Sequence, residues 1–340
     1  IAYLPHYAHW GARLPWLFNL RNTMPAAAAL SENWFGFAAQ RSLPSWRSDT
    51  FLSGLMYPMS ADGSIEPQSR GAAGEVVLFA DTFSNAFESE VAHDALTVLK
   101  AAGYTVHIAL PGDGSRRPLC CGRTFLATGM VDQAKAEARR TLAALMPHVK
   151  RGATIVGLEP SCLLSMRDEF LVMGFGESAQ RLASSALLIE EFLARESRAG
   201  KLNLSLTPIR EKRALIHGHC HQKAFDALAP AVDVLKLIPD LQVDVIDSSC
   251  CGMAGAFGYE RKHYDISMKM AELSLLPAVR AADQDTLIVA DGTSCRHQIA
   301  DGTRATGARH ATHVVRVLAR ALATDFRAAE LQSANHAAKT

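Results

Sequence analysis

The triplet Cys120-Cys121-Gly122 returns as Cys250-Cys251-Gly252, and behind each copy come a helical stretch and an apolar run into a lone cysteine. The runs are Thr154-Ile-Val-Gly-Leu-Glu-Pro-Ser-Cys162 and Thr286-Leu-Ile-Val-Ala-Asp-Gly-Thr-Ser-Cys295, and the lone cysteines stand 41 and 44 residues past the second cysteine of their pair. Two such triplets arise by chance, but two with the same strand, loop and cysteine behind them mark an internal repeat.

Around this repeat, short β-branched runs alternate with helical ones. Strands are predicted at 75–81, 105–110, 154–158, 213–217, 243–247 and 286–290, and helices at 88–102, 132–150, 179–198, 224–237, 262–281 and 311–323, with a polar tail behind. The alternation implies right-handed crossovers and parallel strands covered on both sides. The fold class is therefore α/β: two pseudo-repeated lobes (75–205 and 206–340) with mostly parallel sheets flanked by helices. Residues 1–74 form an irregular helical N-terminal segment and a linker. Trp10, Trp16, Trp34 and Trp46 lie there with Pro5, Pro15, Pro25 and Pro44, a pattern of short proline-broken helices that pack on the lobes or dock missing domains. Stretch 48–74, rich in Gly, Ser, Pro and Asp, reads as the linker.

Lys and Arg number 35 against 34 Asp and Glu, which leaves no basic excess for a nucleic-acid footprint. No apolar run approaches the roughly 20 residues of a membrane span. Residue 1 is Ile in mid-pattern, with no charged leader and no initiator Met, so the chain reads as a piece of something longer in a reducing compartment. A cytoplasmic location is expected, or a peripheral one at the inner face of the plasma membrane.

In parallel sheets the carboxyl ends of the strands gather at one edge, where ligands bind. Cys220, Cys250, Cys251 and Cys295 each follow a predicted strand and can converge there. In the first copy Cys120, Cys121 and Cys162 can do the same, and Asp81 stands in the place of a fourth thiol. A Cys250–Cys251 disulfide is disfavoured, because Cα atoms about 3.8 Å apart fall short of the usual ~4.4–6.8 Å. Inert packing explains one buried thiol but not four at repeated strand ends, which leaves metal or cluster binding as the leading expectation. Four thiolates suit zinc or an iron–sulfur cluster, and adjacent cysteines suit a multi-iron framework. The harder first set suits zinc, another divalent ion, or no metal.

The pattern Cys…Cys-Cys-Gly…Cys, twice over, resembles the cysteine-rich CCG domains of heterodisulfide reductases and of glycolate and lactate oxidase iron–sulfur subunits. The resemblance is strongest to the C-terminal region of FAD-linked D-2-hydroxyacid dehydrogenases of the D-lactate or D-2-hydroxyglutarate type. Carrying it are Glu159-Pro-Ser-Cys162, His217-Gly-His-Cys-His-Gln222, Cys250-Cys-Gly-Met-Ala-Gly255, Gly292-Thr-Ser-Cys295, Asn33-Trp-Phe-Gly36 and Arg41-Ser-Leu-Pro44. It implies electron transfer through an unusual [4Fe–4S] cluster, cubane or non-cubane, on Cys220, Cys250, Cys251 and Cys295. It also implies FAD on an upstream domain or partner protein, and a quinone or protein as electron acceptor. Many relatives end the motif in CxxC, whereas single cysteines stand here. Rival readings are a zinc-stabilised interaction module and a thiol redox enzyme of the heterodisulfide reductase kind.

His217, His219 and His221 alternate, so on an extended segment they share a face opposite Cys220, with His219 as a group around the cluster. Arg296 and His297 are expected to bring positive charge to an anionic centre. Gly252, Gly255 and Gly258 are read as allowing close backbone approach to it, Gly252 foremost. Met166-Arg-Asp-Glu169 reads as a solvated helix face. No residue is singled out as catalytic.

Overall fold

Each of the first three helices carries a proline in its first turn, where no backbone N–H is needed: α1 (Leu4–Gly11), α2 (Pro15–Thr23) and α3 (Pro25–Phe35). The computed structural model describes residues 2–55, 66–113, 115 and 117–323; part of the predicted linker and the polar tail lie outside these. α2 buries no residue, and Trp10, Trp16 and Trp34 are exposed, while Trp46 packs on Phe87 and against Gly11. The segment after α3 is tied to the far lobe. Arg41, 1% exposed, donates to the Gly258 carbonyl (3.1 Å), Asp301 (3.3 Å) and Ser267 Oγ (3.2 Å). The flanks of the linker also belong to the fold: Phe51 is fully buried, and Ser69 bridges Val106.

The first lobe runs β1 (Glu75–Phe79), α4 (Thr82–Ala86), α5 (Ser89–Ala101), β2 (Thr105–Ile108), α6 (Arg123–Leu126), α7 (Val131–Lys150), β3 (Thr154–Gly157), α8 (Pro160–Leu163), α9 (Glu169–Val172), α10 (Glu177–Ser185), β4 (Ala186–Leu188) and α11 (Ile189–Arg198). The second runs β5 (Arg213–Ile216), α12 (Cys220–Ala224), α13 (Leu228–Leu235), β6 (Gln242–Val245), α14 (Tyr264–Glu272), α15 (Leu275–Ala281), β7 (Leu287–Val289), α16 (Thr293–Thr303), β8 (Ala311–Thr312) and α17 (Val314–Ala321). Both sheets are parallel, with orders β2-β1-β3-β4 and β6-β5-β7-β8, so the repeat extends to topology.

Each sheet is covered on both faces. Val76 and Leu78 of β1 enter a central core that also holds Ala214 and Ile216 of β5, with α5 packed on α17 and α11 on α13. Val77 and Phe79 turn to an outer core containing Cys121 and Cys162, and its counterpart in the second lobe contains Cys251 and Cys295. The lobes thus share one apolar middle layer, and their thiols lie on the outer layers.

Three predicted helices are interrupted. Stretch 179–198 is α10, the strand β4 and α11, because Ala186–Leu188 completes the sheet edge beside β3 and tertiary pairing overrides helix propensity. Glu191 then reaches back to the Leu188 N–H (2.9 Å) to start α11. β8 replaces the start of the predicted last helix for the same reason. Stretch 262–281 breaks between α14 and α15, at exposed Leu273 and at Ser274.

Candidate functional site

The register defines which residues of the two lobes correspond. Val156 and Val289 each precede their lone cysteine by six residues, and they pair with Leu78 and Ile216. Phe79 therefore corresponds to His217, Asp81 to His219 and Thr82 to Cys220. The thiol position is held by threonine in the first lobe, and Asp81 matches a helix cap rather than a ligand. The capping chemistry agrees: Asp81 accepts from the N–H groups of Phe83 (2.8 Å) and Ser84 (3.2 Å), and His219 Nδ1 accepts from the His221 N–H (3.1 Å).

In the second lobe, Cys220 opens α12 just past β5, Cys250 and Cys251 follow β6, and Cys295 lies in the first turn of α16 past β7. The thiols neighbour one another in turn, Cys220 beside Cys250, Cys250 beside Cys251 and Cys251 beside Cys295, and Cys220 Sγ also lies 3.9 and 3.8 Å from the Nδ1 atoms of His219 and His221. Cys250 is driven well below the usual thiol range by the hydrogen bonds from Cys220 and Cys251 and by the Gly252 N–H (3.3 Å). Cys295 is lowered by Cys251 and by the imidazoles of His219 and His217. Cys220 and Cys251, as donors, are raised. Cys220 is exposed at one end of the set and Cys295 buried at the other. The donor set, four thiol sulfurs with imidazoles beside them, fits a thiolate-bound metal or cluster.

The first lobe differs in electrostatics. Cys120, Cys121 and Cys162 are in contact and fully buried, but all three are raised. Cys162 is lowered by the Cys121 hydrogen bond, yet burial and the nearby carboxyls of Asp81 and Glu159 carry it up to about 12. Asp81 stands where the second lobe has the His219 imidazole, Glu159 lies nearby, and both carboxyls disfavour thiolates. Both oxygens of Asp81 are spent inside the lobe, on the cap and on Ser84 Oγ (2.6 Å). Among the described residues, the triads with ligand atoms within 4.8 Å of one another are His217/Cys251/Cys295 and His219/Cys220/His221; neither the first-lobe set nor any three of the second-lobe thiols by themselves form one.

The histidines do not share a face. Because α12 starts at Cys220, His219 and His221 stack (5.2 Å between centroids), while His217 turns inward beside Cys251 and Cys295. Sequence reasoning does not single out His217 from its neighbours, and its alternation with His219 is the available signal. The expected positive charge behind Cys295 is largely cancelled. Arg296 is buried and paired with Glu88 of the first lobe through Nε (2.9 Å) and a second bond. Burial lowers His297, which meets Tyr259 Oη at 3.0 Å.

Gly252 (φ +89°) is required by packing, since a Cβ there would lie 2.3 Å from the Ser267 carbonyl of α14, as one at Gly122 would lie 2.8 Å from the Ala134 carbonyl of α7. Gly255 faces open space. Met166 is buried, Arg167 pairs with Glu191 and Glu169 with Arg123, and Asp168 alone is exposed, so this run is solvated only in part.

The strand ends of the two lobes meet across a buried polar seam. Glu159 accepts from the Thr293 N–H (2.8 Å), Gln222 donates to Glu190 (2.6 Å) and Asp291 (2.9 Å), and His313 Nε2 meets the Leu158 carbonyl at 3.0 Å. Glu159 and Glu190 are raised by burial. Among the described residues no helix is long and apolar enough to cross a membrane.

A family model described as "CCG: Cysteine-rich domain" matches residues 82–167 and 214–300, together half of the chain. Among curated proteins, the chain is 26% identical over 285 residues to a subunit of the anaerobic glycerol-3-phosphate dehydrogenase of Escherichia coli K12, covering 84% of this chain and 66% of that protein. It is 25% identical over 315 residues to D-2-hydroxyglutarate dehydrogenase of the same organism, covering 91% of this chain and 29% of that protein. The corresponding enzyme of Pantoea ananatis is 24% identical over 304 residues, with 88% and 28% covered. The chain thus spans just under two thirds of the first relative and under a third of the other two.

Proposed function

The chain belongs to the family of CCG cysteine-rich domains, and from that premise we propose that it is the iron–sulfur electron-transfer region of a flavin-linked dehydrogenase acting on a D-2-hydroxyacid. Cys220, Cys250, Cys251 and Cys295 would hold a [4Fe–4S] cluster, which when bound takes up and releases electrons singly. Removing hydride from a substrate carbon needs an organic cofactor, assigned here to a flavin on a partner domain or protein. A quinone or a protein receives the electrons.

The chain's own part is to fix and insulate the sulfurs. Gly252 N–H orients Cys250, the Arg41 brace holds the loop behind the pair, and burial of Cys251 and Cys295 excludes water from one side. Exposed Cys220 marks the edge through which electrons enter or leave. The first lobe, with neutral thiols and a spent aspartate, acts as scaffold without a metal.

The observation that carries this reading is the placement of Cys220, Cys250/Cys251 and Cys295 just past the carboxyl ends of β5, β6 and β7, with Cys251, Cys295 and His217 within 4.8 Å of one another. Anaerobic purification with iron, sulfide and zinc assays tests it. About four irons per chain with matching sulfide are expected, and zinc alone refutes the electron-carrier reading in favour of a zinc-held module. Exposure of Cys220 favours one second reading, reduction of a disulfide at the centre. That reading requires the paramagnetic signal to change on adding a disulfide in the absence of flavoprotein.

A further inference from the structure

His217 is 1% exposed, yet one of its ring nitrogens meets no oxygen or nitrogen partner. Its Nδ1 lies 2.8 Å from Ser248 Oγ, whereas Nε2 is buried with the sulfurs of Cys295 and Cys251 as its polar neighbours. Leaving a buried imidazole nitrogen without an oxygen or nitrogen partner is unfavourable, and the corresponding position in the first lobe is filled by Phe79, which packs without any such cost. The fold does not need an imidazole here.

The sulfurs of Cys251 and Cys295 and a ring nitrogen of His217 lie within 4.8 Å of one another, all three residues buried. With Nδ1 engaged by Ser248, Nε2 is the nitrogen left for a ligand. Ser248 Oγ also faces Lys223 Nζ (3.5 Å), a donor, and the Ile246 carbonyl (3.5 Å), an acceptor. The hydroxyl proton can therefore go to Ile246, leaving Oγ to accept from Nδ1–H. That tautomer frees the Nε2 lone pair, which is how metal-bound histidines are usually held.

The geometry points to His217 as a direct protein ligand of the metal centre through Nε2, beside Cys251 and Cys295. This rests on the reading that the thiol run holds iron. It makes the ligand field mixed, four sulfurs and one nitrogen, which is one donor more than the four irons of a cube take singly.

The test uses the anaerobically purified chain, unlabelled and grown with ¹⁵N-histidine, and pulsed electron paramagnetic resonance on its paramagnetic state. A strong nitrogen coupling that changes isotope pattern on histidine labelling is expected. It should vanish in His217→Gln, with iron retained, and persist in His221→Gln. Iron and sulfide present with no histidine coupling, or a coupling that survives His217→Gln, overturns the assignment and leaves the electron-transfer reading standing. A His217→Gln protein that does not fold is replaced by His217→Cys, where the nitrogen coupling must also disappear. Protein that binds no iron overturns both.

Discussion

Glu88, at the start of α5 in the first lobe, is clamped by Arg296 and Thr293 of the second. Burial alone would raise its pKa, but the Arg296 guanidinium and the two hydrogen bonds win and hold it at about 2, from an ordinary 4.5. A shift of that size corresponds to roughly 3.4 kcal/mol at about 1.36 kcal/mol per unit. The carboxylate is favoured in the folded state, so this stability is fully present above pH ~4.5 and is lost as pH falls toward ~2. Glu88→Gln mimics the protonated group while keeping its size. By linkage, the gap between wild type and variant in urea unfolding should be about 3 kcal/mol at pH 7 and about 2 kcal/mol at pH 3.5. A variant within about 0.5 kcal/mol of wild type at pH 7, the range of an ordinary surface change, or a gap that does not move with pH, would refute the claim that this pair locks the lobes.

Serine at Cys220, Cys250 or Cys295 is expected to abolish most bound iron in metal assays, whereas serine at Cys120 or Cys162 should leave it unchanged. Gly252→Ala forces a Cβ into the Ser267 carbonyl at positive φ and should lower stability by more than about 3 kcal/mol, while Gly255→Ala, also at positive φ but in open space, should cost only about 1 kcal/mol; paired denaturation curves check this. Arg41→Met removes the brace on Gly258 and one partner of Asp301, which keeps Arg304 and Ser42, so a loss of about 1–3 kcal/mol is expected by the same measurement, with faster alkylation of Cys250 in metal-free protein.

The strands β1, β2, β3, β5, β6 and β7 were legible because each is a short β-branched run between turn signals, and that pattern needs no knowledge of neighbours. β4 and β8 were not: Ala186-Leu187-Leu188 favours a helix locally, and only the open edge of β3 makes it a strand. The three alternating histidines likewise looked equivalent, since periodicity alone does not reveal that the strand stops at Ile216 and a helix begins at Cys220. The match of Asp81 to a ligand failed for a related reason, because strand register, not motif spacing, aligns Thr82 with Cys220.

The order of residues by itself determined the duplication, the alternation of strand and helix, and the four thiols that follow strand ends, because these are local or repeated patterns. Only the packed structure decided which thiols are pushed toward the thiolate, which copy is pushed away from it, and where each histidine points. Those outcomes depend on charges and burial contributed by distant segments: Asp81 and Glu159 on one side, and His217 and His219 on the other.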